Sequence, residues 1–319
     1  MGKEKILVTG ANGQIGSVLT KALRKRFGEN GVLATDLRAS YPSEGPYEEL
    51  NVLDKARLED LVRHYRITQI YHLVAILSAK GEERPLSTWN INMTGLLNVL
   101  EVAREYSIDK VFFPSSIAAF GHKTPRVQTP QDTIMDPDTI YGISKLTGEH
   151  WCRYYYNRYG VDIRSVRYPG IIGYESMPGG GTTDYAVDIF HYAVQEKTYT
   201  CFLRPDTRLP MLYMPDAIRG TIDLMEAPKE QIQVRDSYNL SGMDFTPAEL
   251  TAAIRAHYPN FKIKYRPDER QKIADSWSES INDEAAQKEW NWQPEYDLKR
   301  MTTDMIIHLR KQYQNSLID

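Results

Sequence analysis

A short apolar run, Ile6-Leu7-Val8, leads straight into Gly10-Ala11-Asn12-Gly13-Gln14-Ile15-Gly16, after which Val18, Leu19, Ala22, Leu23 and Phe27 recur at helical spacing. Strand, glycine loop and helix in that order leave backbone N–H groups open at a helix N-terminus, where hydrogen bonds and the helix dipole together hold a phosphate. An α/β unit is the fold that places these three pieces in register.

The alternation continues. Residues 31–36 read as a second strand closing on Asp36, Asp54 as the N-cap of a helix running to about Tyr65, and residues 69–74 as a further strand. A helix near Leu86 to Tyr106, a strand from Lys110, a helix bearing Tyr141 and a strand from Val161 to Tyr168 follow. This rhythm predicts α/β architecture, a doubly wound parallel (Rossmann-type) sheet with helices on both faces. Past about Gly170 the pattern loosens at Pro178-Gly179-Gly180-Gly181. The expected division is a nucleotide-binding domain with the catalytic helix over residues 1–170. A smaller, mainly substrate-binding C-terminal lobe covers 171–319, some segments of which return to the first domain. Within it, Thr246-Pro247-Ala248-Glu249 is a capping-box signature that starts a helix.

Composition narrows the partners. The formal net charge is -3 and no long run of like charge occurs, so no nucleic-acid partner is expected. Cys152 and Cys201 lie far apart without CxxC spacing, which argues against a disulfide framework and against a structural metal. No secretory or transit segment stands ahead of the first strand, and no apolar run reaches the ~20 residues that span a bilayer. A cytoplasmic protein without a membrane partner is the expectation.

Asp36 ends the second strand beyond the glycine loop, where a carboxylate accepts hydrogen bonds from the adenosine ribose hydroxyls. It favours NAD as cofactor, because it would repel the 2′-phosphate of NADP, although Arg38 two residues on would attract that phosphate. The turn Asp36-Leu37-Arg38 is therefore placed at the adenosine. Leu73 and Ala75 at the end of the third strand, and Tyr168 and Ile171 at the end of the later one, are expected to complete the cofactor site.

Tyr141 and Lys145 lie four apart on one helix and so share a face. Free tyrosine ionises near pH ~10, and a neighbouring ammonium favours the phenolate. Such a tyrosine can take a hydroxyl proton while a carbon-bound hydride passes to a nicotinamide. Lys145 is expected both to lower the tyrosine's pKa and to hold the nicotinamide ribose. Pro114-Ser115-Ser116 ends a strand at the carboxyl edge of the sheet, which puts a serine beside the reacting oxygen.

The three-residue glycine spacing resembles the short-chain dehydrogenase/reductase superfamily, and Ser116-Ile117-Ala118-Ala119-Phe120-Gly121 resembles the Ser-x-x-x-Tyr-Gly segment of its extended branch, which favours Ser116 over Ser115. Asn51-Val52 resembles the superfamily's adenine contact, with asparagine for aspartate. Asn92 resembles the helix asparagine that supports the lysine and a proton-relay water. The stretches Arg167 to Tyr185, Pro205 to Asp216, Asp275-Ser276-Trp277 and Trp290 to Pro294 resemble the L-threonine 3-dehydrogenase family of epimerase-like type.

That resemblance implies oxidation of L-threonine at C3 by NAD, with Ser116, Tyr141 and Lys145 as catalytic residues and Ser78, in the loop after Leu73-Val74-Ala75, at the substrate. Thr182 and Thr183 offer hydroxyls to a carboxylate, and Gly180 lies in the same loop. Asp184 offers charge to an ammonium or caps the helix that begins at Tyr185. The tyrosines of Arg153 to Tyr159 suit core or interface. Their helix and the one bearing Asn92 resemble the pair that forms an intersubunit four-helix bundle, which implies a homodimer. A nucleotide-sugar 4-epimerase and a non-catalytic NAD-sensing protein of the same fold stay open as alternatives.

Overall fold

The computed structural model describes residues 4–38, 45–177 and 179–315. Its first strand, β1 (Ile6–Thr9), is buried at every residue, as a strand covered on both faces must be. It pairs in parallel with β2 (Val32–Asp36), which carries the edge strand β3 (Tyr47–Glu49). On its other side lie β4 (Gln69–His72), β5 (Lys110–Ser116) and β6 (Ile163–Tyr168), all parallel. Three short strands follow in the chain, β7 (Gly170–Ile172), β8 (Tyr199–Cys201) and β9 (Leu209–Tyr213), before β10 (Tyr238–Asn239) pairs with β6. The sheet has seven strands in the order β10-β6-β5-β4-β1-β2-β3. Its direction of winding reverses between β1 and β4, and doubly wound sheets bind ligands at the carboxyl ends flanking such a reversal.

Helices α1 (Gln14–Phe27), α2 (Lys55–Tyr65), α3 (Ser78–Glu82), α4 (Pro85–Trp89), α5 (Gly95–Glu105) and α6 (Ile140–Tyr159) belong to the first part of the chain. A π-helical turn, Asn90–Thr94, joins α4 to α5 without a break. Alternate strand residues point to opposite faces. Tyr71 and Phe112 accordingly join Leu19 and Leu23 on one face, while their neighbours Ile70 and Phe113 join Leu96 and Val99 on the other.

The later part supplies α7 (Tyr185–Val194), α8 (Met214–Glu226), α9 (Pro247–Arg255), α10 (Arg270–Asp275), α11 (Glu284–Trp290) and α12 (Leu298–Asn315). Here β9 pairs with β7 and with β11 (Met243–Phe245), and β8 pairs with β12 (Ile263–Tyr265). Tyr185, Phe190, Met211, Phe245 and Met305 gather into a separate core. Residues beyond 170 also return to the large sheet through β10, and Trp292 packs in the core beneath it.

Three local expectations need correction. The second strand starts at Val32 and not at Gly31, whose amide closes a tight turn on Gly28 O. Ser78 opens the short helix α3 instead of lying in a loop. No element was read between residues 37 and 54, where β3 adds three residues to the sheet edge.

Candidate active site

The glycine loop is shaped by close approach. Gly10 takes φ +76°, and a Cβ there would lie 3.0 Å from Val74 N. At Gly16 it would lie 2.1 Å from Gly10 O, so only glycine lets α1 begin against its own turn. Gly13 is the N-cap, its amide bonded to Gly10 O at 3.1 Å, and among the described residues no side chain caps α1. The helix thus presents its first-turn amides to an anion.

At the far end of the loop, Asp36 Oδ2 accepts from Asn12 N at 3.0 Å and Oδ1 from Leu37 N at 2.8 Å. The Asn12 side-chain amide donates to Arg38 O and to Tyr47 Oη, and Tyr47 also bonds Arg38 O. The acid, the loop and the turn after β2 therefore form one rim. Asn51 Oδ1 accepts from Leu53 N at 3.0 Å. Val52 is buried against Gly95, and its carbonyl accepts from Asn98, so its side chain belongs to the core.

Thr139 caps α6 by accepting from Gly142 N, and Tyr141 follows in the first turn with Lys145 one turn later. Lys145 Nζ donates to Pro114 O at 2.6 Å and stands 5.5 Å from the Tyr141 ring centre and 4.8 Å from that of Phe113. Ser115 gives its hydroxyl to buried Glu149, which also pairs with Arg167. Ser116 faces the other way, hydrogen-bonds Tyr141, and accepts from Ala118 N at 3.1 Å.

Burial pushes the Tyr141 phenol up to about 12, with the Ser116 bond opposing. It also brings the Lys145 ammonium down to about 8, against the charges of Cys152 and Glu149. The net direction is opposite to that expected from Lys145, because desolvation of the phenol outweighs the opposing Ser116 bond.

Asn92 sits in the π-helical turn. Its Oδ1 accepts from Ile76 N at 2.8 Å, and its Nδ2 donates to Ile76 O and Ser144 Oγ. It fixes the segment after β4 directly and meets the lysine only through its helix neighbour. The Tyr168 hydroxyl bonds Thr221 in the core, so the contact expected of this residue cannot come from its hydroxyl.

One cavity is lined by much of the predicted set: Gln14, Ile15, Leu73, Ala75, Tyr168 and Ile171 of the expected cofactor residues, together with Ser116, Tyr141, Lys145, Ser78, Thr182, Thr183 and Asp184. Thr182 is buried, and its Oγ1 has no hydrogen-bond partner among the described residues. Asp184 does not cap the helix that begins at Tyr185, one of the two roles expected of it. No side chain caps α7 among the described residues, and Asp184 Oδ2 instead accepts from the amides of Gly180 and Gly181 at 2.7 Å each. Burial raises its carboxyl while those amides pull it down. Leu77 and Trp277 also line the cavity and were missed as site residues. Trp277 is delivered by the segment after α10, where its carbonyl accepts from Arg126 Nε at 3.1 Å.

The model of the NAD dependent epimerase/dehydratase family matches residues 6–241. The chain belongs to this family. The glycine cradle, the uncapped start of α1 and Asp36 fit NAD, the cofactor in the family's description. Among solved epimerase/dehydratase relatives, the holo form of a GalE-like L-threonine dehydrogenase from Cupriavidus necator is 55% identical, with TM-score 0.95 over 96% of this chain and 99% of that one. A monomeric L-threonine 3-dehydrogenase from a metagenome is 45% identical, with TM-score 0.94 over 96% and 99%. A Staphylococcus saprophyticus protein described as an uncharacterized epimerase/dehydratase is 48% identical over 308 residues, 95% of this chain and 96% of its own length. Among the described residues, no helix is long and apolar enough to cross a membrane, and no group of three or more His, Cys, Asp or Glu could hold a metal.

Proposed function

We propose that the chain oxidises L-threonine at C3 to L-2-amino-3-oxobutanoate, with Tyr141 as the base. The observation that carries this reading is the orphaned hydroxyl of Thr182 in the same cavity as Ser116, Tyr141 and Lys145. A buried donor without a partner is costly, and a small substrate carboxylate would satisfy it. The 55% likeness to an L-threonine dehydrogenase supports the same substrate.

The substrate carboxylate would meet Thr182 and Thr183, with Ser78 across the cavity. Ser116 would hydrogen-bond the C3 oxygen, which loses its proton to Tyr141 Oη as the carbonyl forms. Bound NAD supplies the acceptor for the hydride leaving C3. The loop from Gly10 to Gly16, together with Asp36, would hold its pyrophosphate and adenosine, and Tyr141 and Lys145 its nicotinamide ribose. In the first turn of α6, Tyr141 lies at the positive end of the helix dipole, which with the Lys145 ammonium favours the phenolate.

Leu86, Trp89, Ile143, Tyr154 and Tyr159 are exposed on α4 and α6. These faces would pair in a homodimer. The substrate test is direct: purified protein given NAD and L-threonine should produce NADH absorbance. No NADH, together with calorimetric heat from a UDP-sugar, would replace this reading with the 4-epimerase one.

A further inference from the structure

Outside the residues that face the cavity, the first turn of α6 has a second anchor. Glu82 Oε1 accepts from Ile140 N, the first amide of the helix, at 2.8 Å. Glu82 is the last residue of α3, and Ser78 is its first. Residues four apart on a helix lie on one face, so this single turn reaches the cavity at one end and the start of α6 at the other. The two helices also touch between these points. A Cβ on Gly81 would lie 3.4 Å from Ile140 Cγ2, near ordinary van der Waals contact, and a tighter 3.2 Å from Thr88 Cγ2. Thr139 satisfies Gly142 N locally, whereas Glu82 satisfies Ile140 N from 58 residues away in sequence.

We propose that Glu82 is a positioning residue that locks the helix bearing Ser78 onto the first turn of the helix bearing Tyr141. Helix ends fray first, because their leading amides lack partners within the helix. Tyr141 stands in that fraying turn, and Ser78 stands on a helix too short to hold itself in water. The carboxylate joins the two weak ends, which fixes the distance between the group that touches the substrate and the group that deprotonates it. It also sits at the positive end of the α6 dipole, where an anion is favoured. This inference rests on the proposed reaction for the roles of Ser78 and Tyr141 and for its kinetic readout, whereas the lock between the two helices does not.

The test uses E82A and E82Q in the full chain with NAD bound. E82Q keeps an oxygen that can accept from Ile140 N, while E82A removes it. For E82A we expect kcat/KM for L-threonine to fall roughly five- to tenfold, the effect of a lost helix cap, with KM for NAD unchanged. E82Q should restore most of that loss. Amide exchange in the peptide covering residues 139–145 should quicken in E82A and stay near wild type in E82Q. Exchange unaltered by E82A overturns the proposal, as does an E82Q protein as impaired as E82A. If wild-type protein makes no NADH from threonine, the substrate reading fails, and the exchange data still decide the role of Glu82.

Discussion

Lys145 donates to Pro114 O at 2.6 Å, two residues before Ser116, so the helix bearing the base and the strand bearing the serine are pinned together at the reacting end. The pin is itself an ammonium in a dry site. Its pKa falls to about 8 from the ordinary 10.5 because burial disfavours the charged form. Below about pH 8 the folded state carries that penalty in full. As pH rises from 8 to 10.5, the unfolded chain binds more protons than the folded one, so stability increases through this window. Lys145→Met should accordingly raise stability near neutral pH by about 1–3 kcal/mol, with the gain shrinking toward pH 10.5 and activity abolished. Thermal melts across that range check it, and a destabilised variant at pH 7 contradicts it.

Tyr141→Phe should reduce turnover by at least ~10²-fold while leaving NAD affinity nearly intact. Because burial holds the phenol up at about 12, wild-type kcat/KM should climb as pH rises from neutrality, and the residual activity of the variant should not. Activity within severalfold of wild type would remove Tyr141 from its role.

Thr182→Val exchanges an unpartnered buried hydroxyl for a methyl of similar volume. The fold should lose nothing or gain slightly, whereas kcat/KM for L-threonine should drop ten- to hundredfold, the equivalent of about 1.5–3 kcal/mol for a hydrogen bond to a charged group. Unchanged kinetics would place the carboxylate elsewhere.

Asp36→Ala should raise KM for NAD and narrow the preference over NADP, since Arg38 remains on the same rim once the acid is gone. Steady-state comparison of the two cofactors decides. Equal efficiency with NADP in the wild type would show that Arg38 governs the choice.

Arg167→Met should destabilise the protein by about 3–5 kcal/mol, because it strands the buried carboxylate of Glu149. Urea unfolding measures the loss, and a change under about 1 kcal/mol would contradict it.

What could be read from the chain was local. The Thr246 cap and Glu249 form both bonds of the capping box, and Asp54 accepts from Arg57 N as an N-cap should. The four-residue step from Tyr141 to Lys145 survives because helix geometry enforces it. Trp277 was not legible as a site residue, because nothing near it in sequence reveals that Arg126 draws it to the cavity. The direction of the Tyr141 shift was not legible either. Desolvation comes from the whole fold closing over a side chain, whereas the spacing shows only its charged neighbour.

Asp184 Oδ2 holds the amides of Gly180 and Gly181 from within the chain's own turn. The conformational entropy of that turn is lost when the chain folds and is not charged again to the ligand. On the proposed reaction a substrate would meet a turn already ordered at this side of the cavity, and discrimination between L-threonine and its C3 epimer would rest on the shape of that turn.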